Sequence, residues 1–564
     1  MSLGSNFEVA WRWPRSAAAI LALFWCAGLA PALHAQFNPD RAYRQSEAVK
    51  QRYRDPAVQF DTPGFAPGRA DFTSHEEMSR YLSRLQQQAG NLQVRIVGAS
   101  QEGRPIPLLV LSNAGVTATA DLLRLNRPVV LLVGLQHGNE PAGGEAMLAL
   151  ARELAIGSLK PLLERITVLI VPRANPDGAH YFTRSPYDNT DINRDHVKVE
   201  LPETAALHRI VNEFRPHVFV DAHEFSVAAR WIEKYGLLQS WDLMAQYATN
   251  PNVAPRLTEL ADQLFLPAMR REVEGAGYTH FWYYTTSYDM TDRRVAMGGT
   301  TPDIGRNFAG LQNAVSFLIE SRGVGIGRES YARRVHTHVV AVASLLQTTA
   351  DHAVRVLKTV QDARDDIVRR GRDPQPGDTV AVTVTRPRSK QALTMIDPQS
   401  GELKDIEVDW SDSLGARPAL VRARPYAYLM PPVFHDVARR LAISGVEVRR
   451  LRAPATLEVE SYEVTERRAG AIYVEGRITS QVTTEVAART KTFPAGSYLY
   501  LMGQPNASVI AVALEPESPS SFVSFGYLPV DRKGAPSTIA AQSEVPVYRL
   551  LAPAALDTQL VEPR

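Results

Sequence analysis

Apolar residues fall along this chain in two rhythms. Continuous apolar runs recur at Leu92–Ala99, Pro105–Ser112, Pro128–Leu135, Ile166–Arg173, His217–Phe225 and Ala314–Ser321. Runs of this kind, short and without polar alternation, suit strands buried on both faces of a sheet that helices cover. Between them lie stretches with apolar residues three or four positions apart, the spacing of one helix face. One such helix starts near Thr73 or Ser74, either of which can cap it, with Glu76 and Glu77 in its first turn. Another covers "PAGGEAMLALARELA", Pro141 to Ala155, and a long one is predicted from Glu329 to about Arg370. "GRDPQPGD" breaks the last. Beyond it the rhythm changes to short alternating runs, among them "TVAVTVTR", "TLEVESYEV", "AIYVEGRI" and "SYLYLMG", with a single helix in "VFHDVARRLAISG".

These patterns predict an α/β fold: a mixed, mostly parallel central sheet flanked by helices, plus a smaller β-rich C-terminal domain. The expected organisation is a signal peptide over 1–35, a polar lead-in over 36–72 and a catalytic domain over 73–346. A connecting helix and linker over 347–373 then leads to the C-terminal domain over 374–564. Polar residues gather just past the C-terminal ends of the apolar runs, where open α/β sheets bind ligands.

Composition narrows the function. The 564 residues include 62 Lys+Arg and 60 Asp+Glu, a net charge of +2, so no electrostatic argument favours nucleic acid or an anionic surface. At the N-terminus Arg12 and Arg15 precede the apolar run Ala17–Ala30, too short to span a bilayer but suited to a signal peptide cleaved after Ala35. An exported chain, in the periplasm or medium and without stable membrane association, is expected. Cys26, the only cysteine, leaves with that leader. Disulfides and cysteine metal ligands are then excluded, and any metal must be held by His and carboxylates.

A set of such residues is present. "GLQHGNEPAGGEAM" places His137 and Glu140 three apart, among glycines, where an apolar strand gives way to a helix. By itself this reads as a polar turn more readily than as a metal loop. Downstream, "VFVDAHEF" puts His223 at the end of another buried run. Two imidazoles and one carboxylate make the three-ligand set of a catalytic zinc, with the fourth position free for water. Glu320 ends the run "AVSFLIES", and "FTRSPYDNTDINRDH" contributes Arg184, Asn193 and Arg194. Guanidinium groups at a water-poor site grip carboxylates bidentately or stabilise a developing oxyanion.

The ordered series His-x-x-Glu, "NPDG", "TR", "NR", a strand-borne His and a strand-ending Glu resembles the zinc carboxypeptidase family, the carboxypeptidase A-like peptidases, over roughly Thr73 to Leu346. The resemblance implies one zinc ion per chain held by His137, Glu140 and His223, with Glu320 as general base. It also implies that Arg184 polarises the scissile carbonyl, Arg173 being the competing candidate. Asn193 and Arg194 match the pair that receives the terminal carboxylate of a peptide substrate. The family's substrate-capping tyrosine has no single counterpart, since Tyr278, Tyr283, Tyr284 and Tyr288 are all available. Asp303 and Arg306 stand where members set side-chain preference. Two alternatives use the same fold: a zinc amidohydrolase acting on N-acyl amino acids or cell-wall peptides, and an inert secreted binding protein.

Overall fold

Eight strands make the frame: β1 (Leu92–Ala99), β2 (Pro105–Leu111), β3 (Val129–Gly134), β4 (Thr167–Val171), β5 (Val218–Ser226), β6 (Leu243–Tyr247), β7 (His280–Trp282) and β8 (Val315–Val324). They lie in the order β1-β2-β4-β3-β5-β8-β6-β7. The centre, β4-β3-β5-β8, is parallel, while β2 joins one side and β6 the other antiparallel. The sheet is thus mixed with a parallel heart, as the apolar runs imply. The structure is a computed structural model that describes residues 37–113, 118–186, 188–471, 473–534 and 543–561. The predicted leader lies outside the described residues.

Up to their C-terminal ends the central strands are largely apolar because both faces are covered. Along β3, Val130 and Leu132 point into one core, and Val129, Leu131 and Val133 into the other. That is the period-two alternation of a strand between two layers. Helices α1 (His75–Gln88), α2 (Pro141–Ala155) and α5 (Tyr331–Asp351) fill the first layer, and α3 (Pro202–Phe214) fills the second. Each fully buried Leu or Val contributes roughly 1.5–3 kcal/mol. Helix α1 starts at a capping box: Ser74 Oγ accepts from the Glu77 amide, and the Glu77 carboxylate accepts from the Ser74 amide. A short helix, α4 (Gly305–Leu311), precedes β8.

The expected long helix is two helices. α5 ends at Asp351, His352 breaks the run, and α6 (Ala353–Arg372) continues to the predicted stop. Strands follow, but they are not set apart from what precedes them. β9 (Arg388–Ile396) and β10 (Leu403–Ser411) share a five-stranded sheet with Tyr284–Thr286 and Arg294–Met297, β10 running parallel to the latter. A seven-stranded sheet holds most of the remaining strands, including the hairpin of β11 (Ala455–Ala469) and β12 (Ser480–Phe493). The first-layer core runs unbroken from α5 through Val356 and Val360 of α6 to Tyr428, Leu441 and Tyr498. Tyr473 to Ile478 of "AIYVEGRI" is not a strand: it forms the tip of the β11–β12 hairpin, with one isolated bridge between Val474 and Arg477.

Candidate metal and catalytic site

The C-terminal ends of β3, β5 and β8 bring the candidate residues together. β3 stops at Gly134, and His137 and Glu140 occupy the loop before α2, whose first residue is Pro141. Close packing explains the glycines. A Cβ on Gly138 would lie 1.8 Å from the Gly178 carbonyl carbon, so no other residue fits. Asn175 of "NPDG" locks the same corner. Its side-chain oxygen caps the helix Pro176–Tyr181, and its amide donates to the carbonyls of Gln136 (3.1 Å) and Arg184 (3.2 Å). On the parallel pair β5–β8, His223 and Glu320 are register partners.

Donor atoms of His137, Glu140 and His223 all fall within 4.8 Å of one another. His137 Nδ1 lies 2.8 Å from Glu140 Oε1, and His223 Nδ1 lies 2.8 Å from Glu140 Oε2. The outer nitrogens are each met by a carboxylate: His137 Nε2 by Asp191 Oδ1 at 3.1 Å, and His223 Nε2 by Asp221 Oδ1 at 2.8 Å. Such outer carboxylates fix the tautomer of a metal-ligating imidazole and raise its basicity. Two nitrogens and one oxygen converging on a point, with both imidazoles oriented from behind, fit a zinc ion. Burial opposes ionisation of Glu140, but the two imidazoles outweigh it and hold the carboxyl well below its usual range. His223 is pushed well above the usual histidine range: burial opposes this, and Asp221 and Glu140 override it.

Around these donors lies a cleft of about 520 Å³, lined among others by Arg184, Arg194, Tyr283, Arg306, Glu320 and Glu475. The Glu320 carboxylate makes no hydrogen bond or ion pair with any described residue. Burial, and after it the nearby Glu140, pushes its carboxyl up to about 8. Arg184 donates to Asp191 Oδ2 through Nε (3.0 Å) and Nη2 (2.8 Å), with Nη1 3.4 Å from Glu140 Oε1. Arg173 lies elsewhere. It is buried outside this cleft and donates to the Thr73 carbonyl at 2.6 Å.

Asn193 and Arg194 part company. The Asn193 amide nitrogen lies 3.1 Å from His223 Nε2, and its oxygen accepts from the Gly305 amide at 2.7 Å. Its side chain therefore serves the protein. Arg194 donates to the Asn193 carbonyl at 2.6 Å, and among the described residues no carboxylate lies within ion-pairing distance of it. Of Asp303 and Arg306, only Arg306 lines the cleft. Its guanidinium is buried, donates to the Gly299 carbonyl at 2.6 Å and leaves Nε without a partner.

The four tyrosines also separate. Tyr278 bonds His336 away from the cleft; Tyr284 and Tyr288 line it with Tyr283, Tyr284 packed in an apolar cluster with Trp410 and Tyr288 84% exposed beneath the Arg230 guanidinium. Tyr283 faces the reacting groups. Burial, then the proximity of Glu320, raises its pKa above the usual phenol range, so it remains a proton donor at neutral pH. Sequence reasoning missed Asp191 and Asp221, and it also missed Glu475. Glu475 arrives from the C-terminal hairpin and accepts the Asp191 amide hydrogen at 2.8 Å.

A family model described as zinc carboxypeptidase matches residues 78–322. Carboxypeptidase 2 of Trichophyton equinum is 32% identical over 498 residues, covering 86% of this chain and 88% of that protein. Carboxypeptidase 2 of Trichophyton rubrum is 33% identical with the same coverage of both chains. Coverage that wide reaches well past residue 322 into the C-terminal portion. Among solved structures, a metallo-carboxypeptidase from Pseudomonas aeruginosa matches 51% of this chain and 70% of its own at 20% identity, with a TM-score of 0.38.

Proposed function

The chain belongs to the zinc carboxypeptidase family, and from that premise we propose how its residues divide the hydrolysis of the amide bond next to a peptide's C-terminal carboxylate. His137, Glu140 and His223 hold one zinc ion, which when bound acidifies water and polarises a carbonyl. Glu320, the cleft carboxylate without a protein partner, takes a proton from the attacking water. It then delivers that proton to the leaving amine, work worth roughly 10²–10⁴ in rate. Arg184 faces the negative charge that develops on the scissile carbonyl oxygen. Arg194 grips the substrate's terminal carboxylate, Asn193 beside it donates to Asp221, the carboxylate behind His223, and the phenol of Tyr283 closes over the bound residue.

The observation that carries this reading is the convergence of three donors, backed by Asp191 and Asp221, beside a partnerless Glu320 and an Arg194 without a counter-ion. Among the described residues no helix is long and apolar enough to cross a membrane. We place the working protein outside the cytoplasm, starting near Gln36, on the strength of the apolar run Ala17–Ala30. N-terminal sequencing of the exported protein checks this.

The test of function combines metal analysis with cleavage of blocked dipeptides bearing free or amidated C-termini. Amidation removes the substrate's charge and Arg194→Ala removes its partner. Each is expected to lower kcat/KM by tens- to thousands-fold, since truncating one side of a desolvated charge pair costs roughly 2–5 kcal/mol. Both together should cost far less than the sum, because they delete the same contact. Equal cleavage of free and amidated peptides by the wild type sinks the assignment of Arg194.

A further inference from the structure

The β11–β12 hairpin ends in a tight turn at Glu475 and Gly476, both in the left-handed region with φ of 49° and 79°. Its tip lands on the segment Asp191–Glu200, which carries Asn193 and Arg194. The Glu475 carbonyl accepts from the buried Lys198 Nζ at 2.7 Å, and Arg477 Nε donates to Glu200 Oε1 at 3.0 Å. A second C-terminal element, α7 (His435–Ile443), reaches the same segment. Its Arg440 Nη1 donates to the carbonyls of Lys198 (2.5 Å) and Val199 (3.1 Å). Val199 has a φ of 51°, a conformation that a β-branched residue rarely adopts. The segment is thus clamped from outside.

One contact of the clamp leads to the reacting groups. Glu475 Oε2 accepts the Asp191 amide hydrogen at 2.8 Å. The Asp191 carboxylate in turn meets His137 Nε2 with Oδ1 and the Arg184 fork with Oδ2. We infer that Glu475 is a positioning residue: through Asp191 it sets the orientation of His137 and Arg184, so the C-terminal β-rich portion is one wall of the active site. This rests on the proposed roles of His137 and Arg184. An acceptor is needed there because an unmet buried amide leaves Asp191 free to shift. Outer partners of metal ligands matter energetically even without touching the metal.

Glu475→Ala and Glu475→Gln in the full chain test the inference. Glutamine keeps an oxygen at the right reach for the Asp191 amide. The readouts are zinc loss to a chelator, kcat and KM on one peptide, and Tm. Glu475→Ala is expected to weaken zinc retention and lower kcat, each by roughly tenfold, while glutamine restores both to within about threefold. Should the alanine variant not fold, Glu475→Asp, whose arm is shorter by one methylene, carries the same comparison. Unchanged zinc retention and kcat in the alanine variant overturn the inference. So does a rise confined to KM, which would make Glu475 a substrate contact, and so does a glutamine variant that melts normally yet still loses zinc. If wild type binds zinc but cleaves no peptide, the reading of function fails while the zinc comparison still decides this one.

Discussion

Two pairs of buried histidines stand close together in this protein, and they are built for opposite states. His137 and His223 approach with their Nδ1 atoms 3.0 Å apart, and His196 Nδ1 comes within 3.3 Å of His208 Nε2. Behind the first pair stand Asp191 and Asp221, with Glu140 between the rings. Behind the second, among the described residues, His196 Nε2 meets only the Gln136 side-chain oxygen at 3.3 Å, and His208 Nδ1 has no partner. Phe308 stacks on His208 with centroids 4.8 Å apart. Burial pushes His196 down to about 4 and His208 well below the usual range. For His223 the carboxylates override burial and push the other way. Proximity of two imidazoles therefore does not make a metal site; the carboxylates that orient them do.

Removing one ring from each pair breaks the comparison most sharply. His223→Ala takes away a ligand, so zinc should be lost and peptide hydrolysis with it. The loss should exceed the roughly 10–100-fold that an outer partner alone commands. His208→Leu takes away a ring of similar burial and should leave the zinc content unchanged. Metal analysis after dialysis decides it: zinc lost from the His208 variant and kept by the His223 variant would reverse the assignment of the two pairs.

Next in size is Glu320→Gln, which leaves both pairs intact. The amide cannot accept the water proton, so kcat should fall by roughly 10²–10⁴ while zinc content stays at the wild-type level. Single-turnover kinetics on a blocked dipeptide measure it. Full activity in this variant would remove Glu320 from the reaction.

How much of this was legible in the chain depends on whether the information is local. The apolar runs located β3, β5 and β8, because strands buried on both faces carry an uninterrupted signal. His137, Glu140 and His223 were legible through the ordered series of motifs that resembles the zinc carboxypeptidases, while the pairing of β3 with β5 that brings them together is a fact of the fold. The sequence could not separate the tyrosines, since three of the four, Tyr283, Tyr284 and Tyr288, line the cleft once the chain folds. Glu475 was hidden more deeply. "AIYVEGRI" has the β-branched and aromatic content of a strand, and only Gly476 hints at a turn. Its landing on Asp191 is a contact across 284 positions of chain. The pairing of β10 with Arg294–Met297 is non-local in the same way, so the break after α6 marks a change of rhythm while sheet and core continue across it. Asn193 taught a subtler lesson. Its place in the motif is next to Arg194, but its amide faces His223 and Gly305, a choice of rotamer that spacing does not encode.

The smallest expected effect concerns acid. A histidine whose folded pKa lies below its unfolded value of about 6.5 binds its proton more readily in the unfolded chain. Its contribution to stability is present above pH 6.5 and lost as pH falls. His208 and His196 belong to this group, with His75 pushed down to about 4 and His338 to about 3, in each case first by burial. Four acids work against them: burial raises Asp195 to about 6, Glu203 to about 7 and Glu320 to about 8 and also pushes Glu475 up, so their contribution declines as pH rises. His217, pushed down to about 3, adds to the histidines. The histidines outnumber the acids, and the net expectation is a Tm that falls between pH 7 and pH 5. Zinc release in acid has the same sign, so the informative quantity is a difference. With zinc held in excess, wild type and His208→Leu are melted at each pH. The variant lacks one ionisation, so its stability should fall less steeply, by up to about 1.4 kcal/mol per pH unit below 6.5. Parallel curves for the two proteins would mean that His208 already carries a proton in the folded state. The second pair would then carry a charge that burial alone does not prevent.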